Sequence, residues 1–135
     1  MLTRRNLLKL SAATLLGASI SLPAVAADTI KIGTFLAVTG PASFLGDPEL
    51  KTLQMYVDEI NNNGGVLGKQ LELVHYDSGA NPKKAVNFAK RLIQRDDVDV
   101  IVGGSASGET LAVMPEAEKA GIPFISLAGS IRIVE

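Results

Sequence analysis

Two short runs, GGSASG from Gly103 to Gly108 and SLAGS from Ser126 to Ser130, consist largely of glycine, alanine and serine. Each follows a short apolar segment that reads as a strand, which puts both at strand ends. Bare amides, the hydroxyls of Ser105, Ser107 and Ser130 and the carbonyl of Ala128 are hydrogen-bonding groups suited to a small anionic or zwitterionic ligand. Glycine-rich loops in α/β chains first suggest phosphate. A P-loop, however, needs Lys followed by Ser or Thr after its last glycine, whereas Gly108 is followed by Glu109 and Thr110. No GxGxxG turn follows the first strand, so the dinucleotide fingerprint is missing too.

Catalytic arrangements find less support. His75 is the single histidine and lies inside a strand pattern, where a packed or hydrogen-bonded structural role outweighs that of a base. Ser107 has no GxSxG elbow around it. Asp77 stands at a strand end, where capping the following turn accounts for it. Asp96, Asp97 and Asp99 read as an exposed, charged connection rather than a cation site. With no cysteine in the chain, a thiolate metal site and a disulfide framework are excluded. The residues therefore call for a binding protein without cofactor or metal, not an enzyme.

The first 26 residues read as an export signal. Arg4 and Arg5 precede an apolar stretch from Leu7 to Leu22, and Ala24, Val25 and Ala26 form a small-residue cleavage pattern. TRRNLLK at Thr3 to Lys9 resembles a twin-arginine signal. The apolar stretch is short of the roughly 20 residues of a membrane span. Cleavage near Ala26 would remove three of the 13 basic groups and none of the 14 acidic ones, leaving 109 residues with a net charge of about −4. An acidic chain of this kind offers no basic stripe to a nucleic acid. The expected organisation is a signal at 1–26 and a single incomplete lobe at 27–135, because the chain stops at Glu135 soon after a strand and its loop.

The elements that position the loops alternate regularly. Strands are expected at Thr29 to Ala37, Gln70 to Tyr76, Val98 to Val102 and Pro123 to Leu127. A first helix is expected from about Pro48 to Asn62, with Asp47 as N-cap, Pro48 at the first helical position and Leu50, Leu53, Val57 and Ile60 as its buried stripe. Asn81 and Pro82 repeat the cap-plus-proline device before the stripe Ala85, Phe88, Ala89, Leu92 and Ile93. The third helix runs from near Ser107 to about Ala120, with Pro115 demanding a kink or a late start. The third strand reads as buried on both faces. Strand and helix in strict alternation give an α/β fold with a doubly wound parallel sheet. A 2-1-3-4 order places the ligand crevice between the first and third strands. Its walls would be 38–47, 103–108 and 128–130. Taken singly, Ser107 reads as an N-cap and Ala128 to Ser130 as a turn; meeting at one crevice, they read as a ligand clamp.

The segments IKIGTFLAVTGPASFLGD, YVDEINNNGGVLGKQLELVHYDSGANPKKAV, VIVGG and AGIPFISLAGS together resemble the amino-terminal lobe of periplasmic branched-chain amino-acid-binding proteins, the type I solute-binding proteins of ABC importers. The resemblance runs from about Ile30 to Ser130. It implies a periplasmic, monomeric, two-lobed protein that closes on its ligand and delivers it to a membrane permease. It also implies that Ser107 holds the ligand carboxylate, and that Ala128 and Ser130 hold its α-amino and carboxylate groups. The family often carries an aromatic residue where this chain has Leu45, with Phe44 beside it. Relatives of this shape also bind amides, short-chain acids and aromatic carboxylates, and an extracellular sensor built on the same lobe is the rival reading.

Overall fold

A computed structural model describes residues 29–135; the expected signal at 1–26 lies outside the described residues. The chain alternates β1 (Thr29–Leu36), α1 (Ser43–Asn62), β2 (Gln70–Asp77), α2 (Pro82–Gln94), β3 (Val100–Gly103), α3 (Ser107–Ala120) and β4 (Phe124–Ser126), then a short 3-10 turn at Ile131–Ile133. The strands form one parallel sheet in the order β2-β1-β3-β4. This is the expected doubly wound α/β arrangement, with the order reversing between β1 and β3. Sequential parallel strands need crossovers, and the three helices supply them.

The sheet's two faces are covered unequally. Phe35, Ile101 and Val98 pack with Ala85, Ala89 and Leu92 of α2 and Val113 of α3 into the main core. Phe124 adds its ring against Phe35 at 5.8 Å. Tyr76 stacks on Phe88 at 4.9 Å, and the Arg91 guanidinium lies over the tyrosine ring at 4.8 Å. On the opposite face α1 lies over β1 and β2, burying Val57 and leaving Leu50, Leu53 and Ile60 partly covered. Ile125 and Leu127 stay exposed. The third strand is therefore buried on one face and only partly on the other, since Val100 and Val102 are half-covered. The sequence reading of burial on both faces is corrected by this missing cover.

Helix boundaries show which sequence signals carry weight. Asn81 caps α2 as expected, its side chain accepting the Lys84 N–H at 3.1 Å with Pro82 in the first turn. By contrast, α1 begins at Ser43, five residues before the expected start, and Pro48 lies inside it. Asp47 is not its N-cap but pairs with Lys51 one turn on, at 2.6 Å. The cause is tertiary. Gly46 is pressed so closely onto β1 that an added Cβ would lie 2.3 Å from the Ala37 carbonyl carbon and oxygen. That contact winds 43–47 into helix, where Leu45 and Gly46 N–H both bond to Ala42 O. In α3 the helix continues through Pro115 to a left-handed Gly121 at its end.

Gly46→Ala should therefore cost roughly 1–3 kcal/mol through forced displacement of packed backbone. Gly108→Ala, whose new Cβ would find Pro82 Cγ at 4.0 Å as its nearest neighbour, should change stability by less than about 1 kcal/mol. Urea unfolding of both variants checks the pair; equal stabilities would refute the packing argument.

Candidate functional site

The carboxyl edge of the sheet is organised by carboxylates that accept from backbone and hydroxyl groups. Asp77 Oδ1 accepts the N–H groups of Val38, Thr39 and Gly79 at 3.0, 3.1 and 3.1 Å, and Oδ2 accepts the Thr39 hydroxyl. The turn after β2 is thereby fastened to the turn after β1. Burial by itself would raise the Asp77 pKa, but the hydrogen bonds from Thr39, Gly79 and Val38 outweigh it and the pKa falls below its ordinary value.

Glu109 does the equivalent for α3. Its Oε1 accepts the Ala106 N–H at 3.0 Å and its Oε2 accepts the Ser78 hydroxyl, in a fully buried position. A carboxylate in the first turn also faces the helix's positive end. Gly104 makes this packing possible. It has φ +49°, and a Cβ there would lie 2.0 Å from Thr110 Oγ1.

The two serine-rich loops begin side by side. Gly103 and Ser126 are register partners, and Leu127 N–H bonds to Gly103 O at 3.2 Å. Ser107 is the first residue of α3, and Ala106, not Ser107, is its N-cap. The Ser107 hydroxyl makes no bond to another described residue, and the first-turn amides of Ser107 and Gly108 have no intrahelical acceptor. Ser130 precedes the 3-10 turn, its carbonyl accepting Ile133 N–H while its hydroxyl makes no cap bond. Ala128 N–H bonds to Ser126 Oγ at 3.1 Å.

Ser105 is placed differently. It is buried, its Oγ accepting the Ala37 N–H at 3.0 Å and donating to Glu49 Oε2 at 2.5 Å. The hydroxyl thus joins the end of β1, the loop after β3 and α1. Phe44 and Leu45 lie on the first turn of α1 rather than in a loop, because that helix starts early. They line one groove of about 390 Å³ with Glu49, Leu53 and Leu127. The groove brings Phe44 and Leu45 together with Leu127 after β4, while Ser107 at the start of α3 and Ala128 and Ser130 in the loop after β4 lie outside its lining. Glu49, Glu109 and Ser78 were missed from sequence. A Glu three residues after a helix N-cap is a recognisable signal for Glu109; Glu49 has none, since its partner is 56 residues away.

The other candidate residues take structural places. His75 pairs in register with Thr34, and neither its Nδ1 nor Thr34 Oγ1 has a hydrogen-bond partner among the described residues; burial lowers the His75 pKa. It is packed rather than hydrogen-bonded through Nδ1. Asp96 accepts the Tyr76 hydroxyl at 2.9 Å and Asp99 the Lys31 N–H at 2.8 Å, so these acids fasten the β3 approach to the sheet. Among the described residues no group of acids and histidine is clustered to hold a metal.

Residues 29–132 match the family model described as periplasmic binding protein. A Leu/Ile/Val-binding protein homolog 7 from Brucella melitensis is 37% identical over 123 residues, covering 91% of this chain and 30% of the relative. A leucine-, isoleucine-, valine-, threonine- and alanine-binding protein from Pseudomonas aeruginosa is 39% identical over 102 residues, or 76% of this chain and 27% of that one. Among solved structures, a branched-chain amino acid transporter substrate-binding protein from Streptococcus pneumoniae, in complex with isoleucine, superposes with a TM-score of 0.76 at 37% identity. It covers 78% of this chain and 31% of that one. A solute-binding protein of an ABC transporter from Rhodopseudomonas palustris, in complex with 3,4-dihydroxybenzoic acid, gives 0.72 at 30% identity, covering 78% and 29%. The chain thus spans about 30% of the length of the curated relatives it matches.

The Asp77 fastening carries a pH signature. A carboxylate whose folded pKa lies below its unfolded value, ordinarily 3.8, contributes stability that is present above that value and is lost as pH falls through the folded one. Asp77→Asn should lower the urea midpoint at pH 7 and flatten its fall as the pH drops below the ordinary carboxylate value of 3.8. An acid limb as steep as that of the unsubstituted protein would refute the role. Matched over most of its length by a model of binding proteins rather than of enzymes, and built on the parallel sheet its structural relatives share, the chain belongs to the periplasmic binding protein family.

Proposed function

We propose that the protein captures a small carboxylate-bearing ligand, a branched-chain or related amino acid, for an ABC importer and delivers it to a membrane permease from the periplasm. The observation that carries this reading is the set of uncommitted hydrogen-bonding groups at the crevice end of β3 and β4. Among the described residues the Ser107 hydroxyl and the first-turn amides of Ser107 and Gly108 are donors without acceptors, and the Ser130 hydroxyl makes no cap bond. A ligand carboxylate would accept from Ser107 and from the α3 amides, favoured by the positive end of the helix. The Ala128 carbonyl and the Ser130 hydroxyl would receive an ammonium group. Phe44 and Leu45 would offer apolar surface to the ligand's side chain.

The relatives named for leucine, isoleucine and valine binding support the amino-acid reading. The relative solved with 3,4-dihydroxybenzoic acid favours a second one, an aromatic carboxylate as ligand. Both use the same clamp and the same importer role.

Each charge-assisted hydrogen bond to the ligand is worth roughly 1.5–3 kcal/mol. Ser107→Ala and Ser130→Ala in the full-length protein should therefore each weaken binding by at least about tenfold. Titration calorimetry with leucine, isoleucine, valine, short-chain amides and aromatic acids identifies the ligand and reads the loss. Unchanged affinity in both variants would sink the clamp.

A further inference from the structure

The groove beside the clamp contains a charge that its surroundings do not neutralise. Glu49 lies on α1 among Phe44, Leu45, Leu53 and Leu127, a lining otherwise dominated by apolar side chains. Its Oε2 accepts from Ser105 at 2.5 Å. Its Oε1 has no partner among the described residues. Lys51, two residues along the helix, is committed to Asp47. Partial burial raises the Glu49 pKa, the Ser105 hydrogen bond opposes that rise, and the nearby charge of Glu109 adds to it. Placing apolar ligand surface against such a carboxylate would strip water from an oxygen that has no replacement donor.

We propose that Glu49 selects the ligand by accepting, through its free oxygen, a hydrogen bond from an N–H or O–H group that the ligand carries besides its carboxylate. This deepens the ligand-capture reading above and rests on it. Ser105 holds one oxygen of Glu49, so the second is presented from a fixed side chain rather than a mobile one. An analogue lacking the donor leaves that oxygen desolvated and unpaired, and discrimination of this kind exceeds what an apolar pocket achieves with a missing methylene. The selected class is a carboxylate with a second, donor-bearing group: an α-amino acid through its ammonium, or a hydroxylated aromatic acid through its phenol.

Calorimetry on the full-length protein with two matched pairs tests this: leucine against 4-methylpentanoate, and 4-hydroxybenzoate against benzoate. In whichever pair binds, the donor-bearing member should bind at least roughly tenfold tighter. Glu49→Leu should bring that ratio to within about threefold in the phenol pair and cut it at least about fivefold in the ammonium pair, where Ala128 and Ser130 still receive the ammonium. Glu49→Gln, which keeps a neutral acceptor, should retain the preference in the phenol pair and reduce it in the ammonium pair. Ser105→Ala, which releases the Glu49 side chain, should lower the ratio without abolishing it. A ratio unchanged by Glu49→Leu, or equal weakening of both members, overturns the proposal and leaves Glu49 only a brace for Ser105. Binding of both members without preference by the unsubstituted protein overturns it while ligand capture stands. Binding of no carboxylate at all overturns ligand capture, and the selection role with it.

Discussion

The carboxylate of Asp77 gathers three backbone N–H groups and one hydroxyl from two different turns, and the carboxyl edge of the sheet is built outward from that point. Parallel strands end in loops whose polar groups have no sheet partner. Here those loops are fastened by acids instead of by ladders. Asp77 joins the turns after β1 and β2. Glu109 joins the start of α3 to Ser78 in the β2 turn, and Glu49 joins α1 through Ser105 to the end of β1. Each fastening pairs a carboxylate with neutral donors, and charge-assisted bonds of this type are stronger than neutral ones. Such a network positions loops precisely only when its members are satisfied, and the buried Glu109 is satisfied at both oxygens.

This division of labour separates committed groups from available ones. Ser105 and Ser78 are buried and spent on Glu49 and Glu109, whereas Ser107 and Ser130 make no side-chain bonds to other described residues. In GGSASG the two serines therefore have different fates although they stand two residues apart. Ser105 turns inward to hold the loop; Ser107 opens α3 with its hydroxyl and amide uncommitted. The glycines divide similarly. Gly104 is there because Thr110 packs where a side chain would be, while a side chain at Gly108 would meet only Pro82, in ordinary contact at 4.0 Å.

The parts of this arrangement that are local in sequence were legible from it. Asn81 with Pro82 announced α2, the Ser107 start of α3 followed from the strand and loop before it, and regular alternation gave the doubly wound parallel sheet. The start of α1 was not legible, because Asp47-Pro48 is a sound cap signal that loses to the contact of Gly46 with Ala37, nine residues earlier. Glu49 and Ser105 are 56 residues apart, and no spacing rule joins them. The half-cover of β3 was hidden for a related reason. An apolar strand reads alike whether one face or both are packed, and only the position of α1 over β1 and β2 decides it.

The electrostatics of the edge then constrain what can bind there. The fastening groups are acids, and the Glu109 charge is close enough to Glu49 to oppose its ionisation. A ligand that is only an anion would gain the α3 amides and the Ser107 hydroxyl but would meet two carboxylates. Coulomb repulsion at an effective dielectric near 20 is a few kcal/mol for charges about 4 Å apart and falls inversely with distance, comparable to one or two charge-assisted hydrogen bonds. A ligand carrying its own cation or strong donor cancels that repulsion and keeps the carboxylate's bonds. Under the proposed capture role, the same acids that fix the loops would set the sign of the second group the ligand presents, so loop architecture and ligand class would follow from one choice of side chain.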